Sequence, residues 1–92
     1  METNPFSERI QIGIKMEKRM VKVLKAVAEY HDITLGDLIE SLVLYAFENT
    51  VPFDTAIGQR IEQLKRVYGM DYGLSSAHQF TDADAIQPKL IS

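Results

Sequence analysis

Residues Arg9 to Met16 constrain this chain more than any other stretch. Ile10, Ile12, Ile14 and Met16 alternate with Arg9, Gln11, Gly13 and Lys15, so an extended backbone would carry one fully apolar side and one polar side. That is the pattern of a half-buried strand. No second run of comparable alternation occurs in the 92 residues. A lone strand leaves its backbone N–H and C=O groups without partners, which is costly when they are buried. The expected partner is a second copy of the chain.

Length and charge fit that expectation. Ninety-two residues make one small domain, and the segment carrying the alternation is too short to bury a generous core alone. With no cysteine, disulfide staples and thiolate metal sites are excluded. Met1 to Glu8 is polar and lacks a secretory pattern, and no apolar run approaches the roughly 20 residues of a membrane span. These features predict a soluble, cytoplasmic protein with no membrane partner. The net charge of −3 conceals a polarity. Residues 1 to 25 hold Arg9, Lys15, Lys18, Arg19, Lys22 and Lys25 against three acids, whereas residues 26 to 51 hold five acids and neither Lys nor Arg. Attraction to phosphate depends on local charge within about 8 to 10 Å, so the first quarter of the chain is its electropositive end.

Along the chain, residues 1–8 read as a flexible arm, 9–49 as a folded unit and 50–92 as a C-terminal extension. After Met16 the apolar period lengthens from two to about 3.6, with Met20, Val23, Leu24, Val27 and Ala28 on one face of a helix over 17–30. His31 and Asp32 mark its end, since Asp tolerates a left-handed turn. Thr34 then caps a second helix to about residue 48, with Asp37 placed to complete a capping box and to complement the helix dipole. The rows Leu35-Leu38-Leu42 and Ile39-Val43-Ala46 are both apolar. A stripe that wide suits a helix packed on the first helix and also on a second subunit. Pro52 interrupts the chain, and Asp54 or Thr55 caps a third helix to about Tyr68, stopped by Gly69. The remainder reads as mostly irregular, with a turn or short helix start at Thr81-Asp82-Ala83-Asp84. Its apolar residues, among them Met70, Tyr72, Leu74, Phe80, Ile86, Leu90 and Ile91, predict docking onto something.

One strand, a helix, a tight turn and a capped second helix within about forty residues resembles the ribbon-helix-helix DNA-binding family. The resemblance covers residues 9–47 and is carried by Ile12-Gly13-Ile14-Lys15-Met16-Glu17, by Leu24-Lys25-Ala26-Val27-Ala28, and by Asp32-Ile33-Thr34-Leu35-Gly36-Asp37-Leu38-Ile39. It implies a mainly α ribbon-helix-helix homodimer: one N-terminal strand paired between subunits, two core helices, and here a helical C-terminal extension. It further implies a transcriptional regulator of the repressor type, inserting an antiparallel β-ribbon into the major groove of double-stranded DNA. On that pattern Gln11, Gly13 and Lys15 face the bases, Gln suiting adenine and Lys guanine. Thr34, Leu35 and Gly36 offer the start of the second helix to a phosphate, and Arg9 joins the phosphate contacts. The dimer core falls to Ile10, Ile12, Ile14 and Met16 of the strand and to Leu38, Ile39, Leu42 and Val43 of the second helix. Gly13 departs from the pattern, because glycine offers no reading side chain; it either lets the ribbon sit deeper or marks lost base reading. The His31-Asp32 turn departs too, at a place where glycine is common.

Lys15, Lys18, Arg19 and Lys22 follow an i, i+3, i+4, i+7 spacing and form a basic ridge, read either as phosphate contacts or as a solvated helix face. Thr34 is equally a plain helix cap. Ser75, Ser76 and His78 lack the rigid base, orienter and oxyanion frame of a nucleophilic enzyme, and two histidines without cysteine give no metal-site spacing. No enzyme activity, metal or cofactor is expected. The competing expectation is a protein-interaction module or antitoxin-like protein that uses the dimer scaffold and the apolar segment within 50–92 to bind another protein.

Overall fold

The computed structural model describes residues 8–81. Three helices are joined by short connections: α1 over Lys18–Tyr30, α2 over Leu35–Phe47 and α3 over Thr55–Tyr68, followed by one 3₁₀ turn at Leu74–Ser76. The expected ribbon-helix-helix fold, with a strand at 9–16, is corrected here. Among the described residues there is no strand, and the architecture is a small three-helix protein. Alternation creates two faces but no ladder. Among the described residues none of the backbone hydrogen bonds outside the helices involves residues 8 to 16, and no second extended segment is there to receive them. Residues 1–7 of the expected arm at 1–8 and residues 82–84 of the expected turn at Thr81-Asp82-Ala83-Asp84, with Ile86, Leu90 and Ile91, lie outside the described residues.

Each helix starts on a side-chain cap. Thr34 Oγ1 accepts the Asp37 N–H at 3.0 Å and Asp54 Oδ1 accepts the Ile57 N–H at 2.9 Å. The cap of α1 is Glu17, whose Oε1 accepts the N–H groups of Arg19 and Met20, both at 3.1 Å. Each satisfies donors that a helix start otherwise leaves open.

All three helices also end alike. Asp32 and Ile33 donate to Glu29 O and Ala28 O, Asn49 and Thr50 to Ala46 O and Tyr45 O, and Gly69 and Met70 to Arg66 O and Lys65 O. The pattern needs one left-handed residue per end, supplied by Asp32 (φ 58°), Asn49 (φ 55°) and Gly69 (φ 70°).

The core is small. Val23, Val27 and Ala28 of α1 and Leu38 of α2 are buried, and Leu24, Leu42, Phe53, Ile61, Leu64 and Met70 pack around them. α1 lies against both α2 and α3. On α2 the Leu38 and Leu42 row is used internally, whereas Val43, Leu44 and Phe47 are 43, 62 and 75 % exposed. The breadth of the apolar stripe on α2 therefore exceeds what α1 covers.

Candidate functional site: the groove between the N-terminal segment and helix α2

Residues 9 to 16 run beside the uncovered face of α2 and enclose a groove of about 900 Å³ with it. Gln11 and Lys15 line this groove together with Leu35 and Gly36 at the first turn of α2. Two residues expected to meet bases thus lie beside two expected to meet phosphate. Gly36 leaves its surroundings open: a Cβ there would meet only Thr34 Oγ1, at 3.9 Å. Arg9 lines the groove too, but its guanidinium pairs with Glu40 on α2. Gly13 is exposed, with nothing within 4 Å of where a Cβ would stand.

The groove continues into an almost wholly apolar hollow of about 510 Å³ formed by Ile12, Ile14, Ile39, Val43 and Leu44 around Glu40. Ile10, Ile12 and Ile14 are 77, 66 and 63 % exposed, so the described residues leave this surface largely uncovered. Contiguous apolar surface of this kind marks an interaction site on soluble proteins. Of the residues expected in a dimer core, Ile10, Ile12, Ile14, Met16, Ile39 and Val43 line these two hollows. Leu38 and Leu42 do not. Leu38 is 4 % exposed and Leu42 packs on the buried cluster, so both serve the chain's own core. Sequence reasoning omitted Leu44, which lines the apolar hollow, from that list; the signal was the next apolar position on the Val43 side of α2.

The basic ridge is divided. Lys15, Lys18 and Lys22 are exposed, whereas Arg19 is half-buried and engaged on several sides. Its Nε donates to Glu17 Oε2 at 2.8 Å, and Nη1 donates to Gly69 O at 2.7 Å and to Asp71 Oδ1 at 3.1 Å. Tyr72 Oη donates to Glu17 Oε1 at 2.8 Å, and the Tyr72 ring lies 5.6 Å from the guanidinium carbon. The hydrogen bond from Arg19, aided by Tyr72 and the two backbone donors, holds the Glu17 carboxyl at about 2, well below its ordinary 4.5. The same bond raises Arg19 further above its usual value, while desolvation and then the bond to Glu17 push Tyr72 up. Lys22 Nζ stands 5.9 Å from the Tyr68 ring. Only a structure could place these tyrosines and Asp71 on α1, because about 50 residues separate them in sequence.

Thr34 acts as the cap of α2, as the bond to the Asp37 N–H shows. His31 borders a separate pocket of about 320 Å³ between α2 and the start of α3, beside Ser41, Tyr45 and Asp54. His78 lies in the segment after the 3₁₀ turn. Among the described residues no group of three or more His, Cys, Asp or Glu side chains is placed to hold a metal ion. Nor is any helix there long and apolar enough to cross a membrane. No family model, curated protein or solved structure matches this chain.

Proposed function

We propose that the chain acts as a homodimeric DNA-binding protein in the cytoplasm, a transcriptional regulator whose two copies cover each other's apolar hollows. The observation that carries this reading is the groove itself. It joins a strongly apolar, exposed surface to Gln11, Lys15 and the open first turn of α2. A second copy buries Ile12, Ile14, Ile39, Val43 and Leu44 by side-chain packing, each fully buried side chain contributing about 1.5–3 kcal/mol. Symmetry then doubles the flanking cations Lys15, Lys18 and Lys22 on one side of the assembly. Polar Gln11 and cationic Lys15 supply base-edge contacts, and the N–H groups at Leu35 and Gly36 supply a phosphate contact.

Fluorescence polarisation with mixed genomic duplexes tests this reading. Binding falls steeply as salt rises, each phosphate contact contributing about 0.9 to the log–log slope. Gln11→Ala with Lys15→Ala abolishes preference among fragments and leaves the dimer intact. Unchanged preference in that double variant removes the groove from DNA recognition.

A second reading has its own support. Arg9 and Arg19 are both tied to carboxylates, and Leu74 and Phe80 are 89 and 90 % exposed after α3. These features favour a protein-interaction module or an antitoxin-like protein that captures another protein through its C-terminal segment. A dimer that binds no duplex even at low salt selects this reading.

A further inference from the structure

The groove does not use the cluster at the start of α1, where residues 69–72 are fastened to Glu17 and Arg19. We infer that this C-terminal segment is a built-in competitor for phosphate: Gly69 O and Asp71 occupy the Arg19 guanidinium that a polyanion would otherwise engage. The inference rests on the DNA-binding reading for its biological meaning, and on geometry for its content.

Arginine recognises phosphate best through two parallel N–H donors, and on Arg19 both Nε and Nη1 are already committed. The bond to Glu17 is local, spanning two residues, and shares its carboxylate with the α1 cap. The bonds to Gly69 and Asp71 instead reach across 50 and 52 residues. These bonds are the removable part. Asp71 is 82 % exposed at its side chain, and an ion pair that open to water is weak and screened by salt. Tyr68 adds to the effect by standing over Lys22, the next cation along the ridge. Residues 68–72 therefore meet two of the three cations Lys18, Arg19 and Lys22 with a carboxylate, a carbonyl and two aromatic rings. Any event that draws this segment away releases Arg19 toward phosphate.

Asp71→Asn in the full chain removes the competing charge at an exposed position and keeps the side-chain shape. Binding to a mixed-sequence duplex then gains affinity at low salt, and the log–log salt slope steepens by about 0.9, one further phosphate contact. In an Arg19→Gln background the same change gives no gain. An equal gain in that background reduces the effect to a general loss of negative charge and overturns the inference, as does an unchanged slope. A second arm is independent of DNA: the Arg19 Nε–H resonance is followed by NMR as inorganic tripolyphosphate is added. It shifts further, and at lower tripolyphosphate concentration, in Asp71→Asn than in the parent chain. Equal shifts in both proteins, or none in either, overturn the competitor even if duplex binds. Conversely, the expected NMR contrast with no duplex binding by any variant sustains the competition for phosphate and sinks the DNA-binding reading alone.

Discussion

Leu38 and Leu44 are both on α2, six residues and so about 120° apart around the helix, and truncating each to alanine separates the chain's own core from its proposed interface. Leu38 is 4 % exposed and Leu44 is 62 % exposed. Leu38→Ala opens a cavity beside Val23, Val27 and Ala28, the other buried residues among those described, at a cost of about 2–5 kcal/mol. A domain of this size has roughly 5–14 kcal/mol in total, so the loss is a large share of it. Leu44→Ala in an isolated chain falls within about 0.5 kcal/mol of neutral. In a symmetric dimer the same truncation removes two buried leucines, about 3–6 kcal/mol per dimer. Urea unfolding followed by far-UV circular dichroism, repeated over about a hundredfold range of protein concentration, distinguishes the cases. A dimer gains about 2.7 kcal/mol of apparent stability across that range, and Leu44→Ala diminishes the gain. Leu38→Ala lowers stability at every concentration alike. A Leu38→Ala cost under about 1 kcal/mol refutes the core assignment. A concentration-independent midpoint in the parent chain, with a neutral Leu44→Ala, refutes coverage of the α2 face by a second copy.

Three further outcomes follow from the helix ends and the cluster around Glu17. Gly69→Ala costs about 1–2 kcal/mol in thermal or urea unfolding: no atom lies within 4 Å of the new Cβ, so the whole penalty comes from the left-handed backbone. Asp54→Ala removes the cap of α3 and costs about 1 kcal/mol, read in the same experiment. For Glu17, a carboxyl depressed to about 2 stabilises the fold fully above its ordinary 4.5, and that contribution fades as pH falls toward 2. Side-chain NMR titration finds this midpoint near 2 in the parent chain and nearer the ordinary value in Arg19→Gln; a parent midpoint at 4.5 removes the clasp.

The helices were legible because their signals are local. The 3.6-residue period from Met20 to Ala28, the Thr34 and Asp54 caps and the Gly69 stop lie within a turn or two of what they control, and helices stand at Lys18–Tyr30, Leu35–Phe47 and Thr55–Tyr68. The capping role of Glu17 was less visible, since Ser, Thr, Asp and Asn are the usual choices there. The N-terminal segment shows the limit of periodicity. Ile10, Ile12 and Ile14 define a side, but a strand also requires hydrogen-bond partners that alternation cannot supply. Within the candidate site, Gln11, Lys15, Leu35 and Gly36 come together because residues 9 to 16 run beside α2 and line one groove with its first turn. The engagement of Arg19 was illegible because its partners sit beyond α3, and no short-range rule links Asp71 to residue 19.

α1 serves as a common floor for two halves that join the core from different sides. This arrangement makes the molecule modular in what it tolerates. Changes on the outer side of α3 can accumulate without reaching the α2 face, and the reverse holds as well. Val27, facing both halves' shared core at 3 % exposure, has no such latitude, since enlarging it displaces the α2 and α3 sides together. The buried face of α1, at Val23, Val27 and Ala28, is accordingly where the fold tolerates change least.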